Sequence, residues 1–537
     1  ELLATANSGA VARARAVTRA AMWSFAAPGE VEVVLVPYVD DHARPGWRLP
    51  ASVLLDHQVE AARVRVEEDL RGRRALGTRC LATWSRYKAV SVVGRVVVRR
   101  GEDLTAVRQR LHDRLHQAVS PLPTPQNPTG WRFGEPLRAS NVYRMLEEAE
   151  PGVRYVDDVR FVVDEAPSGS VRAVAADEFQ PDTWYVGCGE VLYRSTNGGR
   201  GWESVGRFPG EEVRRIAPAP AAVRPGMPAS PGRVAAVTRR TDGAASSVYV
   251  SRDLGECWLK VAELEPGIAD LAWTGRDPSG GLLLATDEGL YELPLLPDAV
   301  PLQVLVEPSD PARGFSAVST FVSGRGVPGV AVAAQAQYGV YLSVAGGQPG
   351  TFANVGLQGV DIRTLSAQFD GPATVLWAGA GEPDPNQPGT GCLRARLFEA
   401  DVRWEAVGTG WVGGTCWDVT FAAGRALAAT QSGGVLVADL TAGQVTWRAP
   451  HVNCGLPLRD RPRFEPVAAI AVNAPTDAPA VALAGGTRGV FRSTDTVRWI
   501  TAADRETRDV VTIPDTWLLC SGEHDIEVVH HHATPSD

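Results

Sequence analysis

Apolar residues recur at two different spacings along this chain, and the change between them divides it. Before residue 165 they include a stripe at three- and four-residue steps, which predicts an amphipathic helix: Leu104, Val107, Leu111, Leu115 and Val119. Beyond it, short apolar runs alternate with Gly, Pro and Asp, which predicts strands and turns. The polar, turn-prone stretch 164–170 therefore predicts a domain boundary.

The first part of the chain alternates between predicted strands and helices. β-rich runs at Val90–Arg99 and Tyr155–Val163 flank the apolar stripe, and Ser140 opens a second, shorter helix. Upstream, the patterns predict the following elements: the end of a helix at 2–10, two paired strands at 11–17 and 30–38, and one helix at 51–71. These elements predict two small α+β layers, residues 1–84 and 85–165.

The second part of the chain contains an internal repeat. An apolar strand, a small-residue turn and a second strand recur seven times, at steps of roughly 46–55 residues: 184–193, 234–250, 282–291, 330–342, 375–393, 426–437 and 481–491. This step suits one four-stranded blade of a β-propeller. Residues 166–537 are therefore predicted to form an all-β, seven-bladed propeller, with blades between about residues 170 and 520.

Three of the repeats continue into a second motif, S-x-[DN]-x-G-x-x-W or a shortened version of it. The motif residues are Ser195, Asn197, Gly199 and Trp202; Ser251, Asp253, Gly255 and Trp258; and Ser493, Asp495 and Trp499. They resemble Asp-box repeats, the hairpin turns of sialidase-like and related propellers. The Asx side chain is expected to accept backbone N–H bonds, glycine to supply a positive φ, and tryptophan to pack between blades. Trp404 and Trp447 are candidates for the same place in repeats without the motif.

Composition, charge and cysteine spacing argue against several classes of function. The 537 residues include 55 Gly and 39 Pro, and lysine occurs only at 88 and 260. A net charge of −9 argues against non-specific nucleic-acid binding. The seven cysteines are scattered without a CxxC pair, so free thiols are expected rather than zinc or disulfides. No apolar run approaches the about 20 residues that span a bilayer, and because the chain starts at Glu1, we expect further chain before it.

Residues 72–163 carry a second resemblance. The matching pieces are Arg74–Thr78 with Gly77, the strand that ends at Arg99–Gly101, the helix after it, the turn Gly130–Pro136 with Gly130, Trp131, Phe133, Gly134 and Pro136, and the segment Pro151–Val159 that begins Pro151-Gly152. In this order and spacing they resemble the C-terminal part of the baseplate J-like family. These are wedge proteins of contractile phage tails and contractile injection systems. Ala75 departs from the family pattern, which usually has proline there.

The resemblance implies a structural role, and the residues themselves predict no cofactor and no metal. Family members are wedge subunits that form a six-fold ring around a spike hub, so the implied partners are other wedge subunits, the hub, sheath-proximal baseplate proteins and copies of this chain. The implied location is a particle assembled in the cytoplasm and released from the cell. The propeller is then a peripheral module that contacts a neighbour, a fibre or a surface glycan. An ordinary α+β domain without an assembly role is the alternative reading of 72–163.

An enzyme is the competing hypothesis for the propeller. A sialidase-like site needs an arginine cluster and paired acids, and Arg214, Arg215, Asp361 and Arg363 are the candidates. No Arg-Ile-Pro motif occurs in the first blade, so we predict no catalytic residue. Arginines and carboxylates that converge on one face would favour a glycan-binding or sialidase-like propeller.

The histidines form two groups, neither of which predicts a metal site. His112 and His116 are four residues apart on the predicted helix, without a third ligand nearby, so a solvated face is expected. His530–His532 are expected to form a polar tail. No glycine loop opens a helix after a strand, so nucleotide binding is not predicted.

Overall fold

The structure, a computed structural model, divides the chain into two compact units. Unit 1 comprises Glu1–Asp164 and Arg505–Asp537, and unit 2 comprises Glu165–Asp504. The residues described are 1–6, 9–18, 29–163, 167–180, 182–221, 231–274, 280–296, 299–323, 326–370, 373–384, 386–398, 401–442, 444–473, 480–502, 507–511, 513 and 515–531. The predicted propeller range 166–537 is therefore too long, because residues 505–537 belong to unit 1.

The N-terminal part of unit 1 contains a three-stranded sheet with helices. Its elements are helix α1 (Leu2–Ala6), strands β1 (Val11–Thr18) and β2 (Glu30–Pro37), helices α2 (Ala51–Asp56) and α3 (Glu60–Arg73), and strand β3 (Arg79–Trp84). The predicted pairing of the first two strands is confirmed, since β1 and β2 are antiparallel. Strand β3 joins β2 in parallel, because α2 and α3 lie between them in the chain and form the crossover.

The prediction of a single helix over 51–71 is wrong. His57–Val59 interrupt it, and Val59 adopts an extended conformation as the residue that precedes α3. The Nε2 atom of Gln58 donates to the carbonyl oxygen of Ser85 at 2.9 Å, just after β3. The side chain of Gln58 thus ties the interruption to the sheet, which an apolar stripe cannot reveal.

The next elements of unit 1 surround a long strand. They are β4 (Arg86–Val98), helix α4 (Leu104–Ala118), β5 (Leu137–Arg138), helix α5 (Ala139–Ala149) and β6 (Val153–Val162). The helix predicted from the apolar stripe is confirmed, and Asp103 caps it by accepting from the backbone N–H groups of Thr105 and Ala106. Its buried Val107, Leu111 and Leu115 pack with apolar residues of β4 and β6.

Unit 2 is a β-propeller. The described residues form seven four-stranded antiparallel sheets, blades 1 to 7 in chain order. Blades 1 to 4 are β7–β10 (Val171–Ala176, Trp184–Cys188, Val191–Ser195, Glu203–Arg207), β11–β14 (Glu211–Pro218, Val234–Arg240, Ser246–Ser251, Leu259–Leu264), β15–β18 (Ile268–Thr274, Gly281–Thr286, Gly289–Pro294, Leu302–Val304) and β19–β22 (Phe315–Val322, Pro328–Ala334, Gly339–Ser343, Phe352–Asn354). Blades 5 and 6 are β23–β26 (Ile362–Asp370, Ala373–Ala380, Cys392–Arg396, Trp404–Val407) and β27–β30 (Cys416–Ala422, Arg425–Thr430, Val435–Asp439, Trp447–Arg448). After a hairpin, β31 (Leu458–Asp460) and β32 (Arg463–Phe464), blade 7 is β33–β36 (Val467–Asn473, Val481–Gly486, Gly489–Ser493, Ile500–Thr501).

The blades form a closed ring without exchanging strands. The first strand of each blade contacts the first strands of its neighbours, and β33 of blade 7 contacts β7 of blade 1. Side chains support this closure: Trp202 Nε1 donates to the Ala502 carbonyl oxygen at 2.7 Å, and Arg492 Nε donates to that of Gly198 at 2.7 Å. Every blade is therefore one continuous stretch of chain, which is why the period is visible in the sequence.

The last strands return to unit 1. They are β37 (Thr507–Arg508), β38 (Val510–Val511), β39 (Trp517–Ser521) and β40 (Asp525–His530). Both β39 and β40 pair with β4 in parallel, one with each half of that long strand. Strand β37 pairs antiparallel with β6, where Thr507 faces Val162. The expectation that His530 lies in a polar tail is wrong, because His530 ends β40, and His532 lies outside the described residues.

Candidate functional site

Every blade has the same irregularity near the start of its innermost strand. One extra residue interrupts the pairing with the second strand, which is a β-bulge. The extra residues are Arg172, Arg214, Ala269, Ser316, Arg363, Trp417 and Ala468. A bulge redirects a side chain from the plane of the sheet, so one side of the ring presents a circle of bulged residues.

A cavity of about 410 Å³ lies among five of these bulges. Its wall comes from blades 1, 2, 3, 6 and 7, and it contains four arginines: Arg172, Arg214, Arg215 and Arg239. Trp417 and the apolar residues Ile268 and Pro466 form other parts of the wall. We call this cavity the arginine mouth. Its volume is in the lower part of the range of about 300–1,000 Å³ that is usual for small-molecule sites.

Two carboxylates balance part of this positive charge. Glu212 lies 2.9 Å from Arg172 Nε and 2.8 Å from a terminal nitrogen of Arg214, and Asp270 lies 3.2 Å from Arg215 Nε. The Nε atom of Arg214 is buried without a hydrogen-bond partner in the described part of the chain. Burial lowers the pKa of Arg214, and the charges of Arg172, Arg239 and Arg215 lower it further against the opposing effect of Glu212.

Two half-buried aspartates, each next to a bulged residue, join adjacent blades. Asp270 accepts from the backbone N–H of Val318 at 3.0 Å, and Asp418 accepts from that of Ile470 at 3.1 Å. Burial raises the pKa of both, for Asp418 to about 6. Because their oxygens accept bonds from the neighbouring strand, these aspartates hold blades together.

The arginines singled out in the sequence lie on the same side of the ring. Arg214 and Arg215 both line the arginine mouth. Arg363 pairs with Asp361 at 2.5 Å, and its guanidinium carbon lies 5.9 Å from the ring centre of Trp417. Arg172 and Arg239 were not predicted from the sequence. The signal that locates the bulges is an apolar-x-x-apolar pattern at each first strand, such as Val213-Arg214-Arg215-Ile216.

The turn Gly130–Pro136 is a junction within unit 1. Gly130 and Gly134 both have positive φ, and a Cβ atom on Gly130 would lie 2.7 Å from the Pro121 carbonyl oxygen. Trp131 Nε1 donates to the carbonyl oxygen of Glu135 at 3.0 Å. The guanidinium carbons of Arg13 and Arg15 lie 5.6 and 5.8 Å from the ring centre of Phe133. The turn therefore connects β1 to the helical layer.

The remaining glycines and prolines singled out in residues 72–163 occupy turns in unit 1. Gly77 has a φ of +82°, and Gly152 is so close to Glu102 that a Cβ atom would lie 2.6 Å from its carboxyl carbon. Pro151 lies next to Gly152 in the turn before β6, and Pro136 precedes β5. Any side chain at Gly152 would displace Glu102 from the start of α4.

The Ser-Asx motifs form turns closed by their own side chains. In blade 1, Ser195 Oγ accepts from Gly199 N at 3.0 Å and Asn197 Oδ1 accepts from Gly201 N at 2.7 Å. In blade 2, Ser251 Oγ accepts from Gly255 N at 2.8 Å and Asp253 Oδ1 from Cys257 N at 2.9 Å. In blade 7, Asp495 Oδ1 accepts from Val497 N and Arg498 N, both at 2.8 Å. These bonds organise turns and leave the motif side chains outside the arginine mouth.

The tryptophans of blades 2, 5 and 6 each connect their blade to the one before it, as Trp202 of blade 1 connects to blade 7. The indole Nε1 atoms of Trp258, Trp404 and Trp447 donate to the carbonyl oxygens of Val205, Val355 and Val407, at 3.0, 2.8 and 2.7 Å. Trp404 and Trp447 thus hold the place expected for them. Trp499 differs, since its buried Nε1 has no partner among the described residues.

A fourth turn of this type was missed in the sequence. In blade 4, Ser343 Oγ accepts from Gly347 N at 3.1 Å, as in blades 1 and 2. Ala345 occupies the position of the Asp or Asn, and Phe352 begins the fourth strand of its blade, as Trp404 and Trp447 do in blades 5 and 6. The sequence signal that remains in blade 4 is the four-residue spacing from Ser343 to Gly347, which is the same as in blades 1 and 2.

A cluster of three histidines lies in the core of unit 1. The rings of His112 and His116 on α4 are 6.1 and 4.7 Å from that of His524, so the solvated face expected for the helix histidines is wrong. Ser521 Oγ lies 2.6 Å from His116 Nδ1 and 2.7 Å from His524 Nε2. Burial, followed by the neighbouring histidines of the cluster and then by Arg48, lowers the pKa of His116 to about 4 and that of His524 to about 3.

Acid is expected to destabilise unit 1 through this cluster. An unfolded histidine titrates near pH 6.5, whereas His116 and His524 stay neutral in the folded chain until about pH 4 and about pH 3. Between these values the unfolded state binds more protons, so stability falls as the pH falls, by up to about 1.4 kcal/mol per pH unit and histidine. The protection factors of the α4 amides, which compare the observed exchange rate with the intrinsic rate at the same pH, should fall accordingly between about pH 6.5 and about pH 4.

The matched variant for this prediction is His524→Gln, which retains hydrogen-bonding groups and does not titrate. The protection factors of its α4 amides should depend less on pH than those of the unmodified chain. Equal pH dependence in the two proteins would contradict the assignment to the histidines.

Neither a membrane-spanning helix nor a metal-binding cluster occurs among the described residues. In the part of the chain that the structure describes, no helix is long and apolar enough to cross a membrane. Within the same residues, no group of three or more His, Cys, Asp or Glu side chains is arranged to hold a metal ion.

Comparisons with known proteins return propellers among the solved structures. No protein-family model and no curated protein matches the chain. The GH74 enzyme of Niastella koreensis is 15% identical, with a TM-score of 0.47, over 64% of this chain and 56% of that one. Sqt1 of Saccharomyces cerevisiae is 11% identical, with a TM-score of 0.40, over 63% and 98%. YCF48 of Cyanidioschyzon merolae is 14% identical, with a TM-score of 0.38, over 60% and 94%. This chain thus spans just over half of the GH74 enzyme's length.

Proposed function

We propose that this chain is a structural wedge subunit of a contractile, tail-like particle, with its propeller as a peripheral interaction module. The observation that carries the proposal is the ordered set of motifs over residues 72–163, which resembles the baseplate J-like family. In support, strand β4, helix α4, the turn Gly130–Pro136, helix α5 and β6 belong to one folded unit. Unit 1 would contact neighbouring subunits, the spike hub and further copies of the chain.

We further propose that the propeller is not an enzyme. Glycoside hydrolysis generally needs two carboxyl groups on either side of the scissile bond. The wall of the arginine mouth, as far as the structure describes it, contains no Asp or Glu. The oxygens of Asp270 and Asp418, each next to a bulged residue, already accept backbone bonds from the next blade. In this proposal the Ser-Asx turns are degenerate Asp boxes that stabilise blades.

Sedimentation from producer cells tests the wedge role. Native lysates are to be fractionated by size, and the proteins that travel with this chain identified by mass spectrometry. We expect the chain to sediment with sheath, tube and spike proteins in megadalton particles. The control is the same strain without the gene, which should lack particles or yield particles without a complete baseplate. A chain that remains a free monomer or dimer would contradict the proposal.

A second candidate function is a glycan-directed propeller protein, in which unit 1 serves only for attachment. One observation favours it: four arginines converge on one side of the ring, which is the arginine half of the arginine-and-carboxylate feature expected of this alternative. Under this candidate the chain would sediment alone and still bind a ligand through unit 2. The two functions are compatible if the wedge carries a binding propeller.

A further inference from the structure

The arginine mouth has the features of an anion-binding site, because the fold brings several arginines together around one cavity. Its four guanidinium groups come from three strands of two adjacent blades: Arg172 from β7, Arg214 and Arg215 from β11, and Arg239 from β12. Holding like charges together costs free energy unless counter-charges offset it. Among the described residues only Glu212 and Asp270 form ion pairs with this set.

The positions of the arginines are fixed by the fold. Arg172 and Arg214 are bulged residues, so their side chains are directed by the backbone of the innermost strands. The side chain of Arg214 is 34% exposed and its Nε is a buried donor without a described partner. A buried donor gains a full hydrogen bond when an acceptor arrives, because it has already lost its contact with water.

The part of the wall that comes from blades 6 and 7 contains no charged side chain among the described residues. Trp417 is half-buried, and its Nε1 donates to Gln431 Oε1 at 3.1 Å, which fixes the orientation of the indole. Pro466 and Ala468, at the start of the neighbouring blade 7, line the cavity with it. Aromatic rings held in this way suit the apolar face of a sugar ring, whereas guanidinium groups suit the oxygens of carboxylate, sulfate or phosphate.

We propose that the arginine mouth binds a compact acidic sugar, a single sugar ring that carries a carboxylate, sulfate or phosphate group. Arg214 and Arg239 bind the anionic group, and Trp417 packs against the ring. A cavity of about 410 Å³ accommodates one such unit. This inference does not depend on the wedge role, and it gives the glycan-directed candidate a ligand class.

Calorimetric titration of the full chain tests the proposal. The probes are glucuronate, glucose 6-sulfate, glucose 6-phosphate, neutral glucose and inorganic phosphate. At least one acidic sugar should bind about tenfold more tightly than glucose, with affinity that falls as salt is added. Comparison of the three acidic sugars identifies the anionic group.

Two adjacent residues of β12 supply a matched pair of variants. Arg239 lines the arginine mouth, whereas its neighbour Arg240 is exposed and pairs with Asp242 at 2.9 Å. Arg239→Gln should weaken binding of the acidic sugar about tenfold or more, as should Arg214→Gln, and Arg240→Gln should leave it within about twofold. Trp417→Leu should weaken binding of the acidic sugars and leave binding of inorganic phosphate unchanged.

Three outcomes would overturn the proposal. One is that no acidic sugar binds at about 10 mM. Another is that Arg239→Gln and Arg240→Gln have equal effects. The third is that inorganic phosphate binds as tightly as the acidic sugars and Trp417→Leu changes neither, which would make the mouth a site for free oxyanions. None of these results alters the sedimentation of the chain, so failure here is distinguishable from failure of the wedge role.

Discussion

Removal of residues 507–537 is expected to unfold unit 1 and to leave the propeller folded. The deletion takes away β39 and β40, the parallel partners of β4, and with them the buried Leu518, Leu519, Ile526 and Val528. Loss of one large buried apolar side chain costs about 2–5 kcal/mol, so together these losses exceed the about 5–15 kcal/mol that stabilises a domain. Limited proteolysis should then cut unit 1 and spare residues 171–501.

The control for this deletion is a chain that ends at His531. It removes only residues beyond β40 and should match the full chain in protease resistance and in its calorimetric transitions. If the larger deletion leaves the transition of unit 1 unchanged, the C-terminal strands are not integral to that unit.

Arg194→Ala is expected to destabilise the propeller by about 3–5 kcal/mol. The side chain of Arg194 is 6% exposed and lies 2.7 Å from carboxylate oxygens of Glu203 in blade 1 and Glu256 in blade 2. It also donates to the carbonyl oxygen of Leu254 at 2.7 Å. Its removal leaves two largely buried carboxylates without this counter-charge, and desolvated charges are costly. The measurement is urea unfolding of the full chain, followed by hydrogen exchange in blades 1 and 2.

Blade 5 contains a matched control. Arg394 occupies the third strand, as Arg194 does, and pairs with Glu405 on the fourth strand at 3.0 Å. Its side chain is 28% exposed and that of Glu405 is 66% exposed, so Arg394→Ala should cost at most about 1 kcal/mol. Equal losses from the two variants would show that burial of the Arg194 network is not what stabilises the joint.

The propeller could be predicted because the residues that repeat from blade to blade are buried and must therefore be apolar. The second strand of each blade is covered on both faces, so Leu282, Leu283 and Leu284, for example, are all fully buried. A run of apolar residues every 46–55 positions follows from that burial alone. The predicted α4 is correct for a related reason, since one face of this helix packs in the core.

The candidate site could not be predicted in the same way. On a regular strand, residues three positions apart point to opposite faces, yet Val213 and Ile216 are both buried. Because Arg214 is an extra residue in a bulge, Val213 and Ile216 can both face the core, and the bulge also sets the direction of the arginine. Nothing local in the sequence shows that Arg172, from the preceding blade, converges with Arg214. That convergence depends on the closure of the ring.

The C-terminal strands were assigned to the wrong unit for a different physical reason. Leu518–Cys520 and Ile526–Val529 have the apolar content of any buried strand, and the sequence contains no information about which sheet they join. Parallel pairing across a separation of more than 400 residues, as between Arg86 and Trp517, has no local signature. His524 shares this difficulty, because its partners His112 and His116 precede the propeller.

The pairing of β6 with β37 has a consequence for the evolutionary origin of this protein. Val162 and Thr507 face each other across an antiparallel pair, so the whole propeller occupies the position of a hairpin loop. Its own first and last blades lie side by side, which brings the ends of the inserted segment together. A single gene insertion at that hairpin could therefore have supplied all seven blades at once, without dividing the host domain's sheet. In an ancestral protein without the insertion, a short turn would join these two strands.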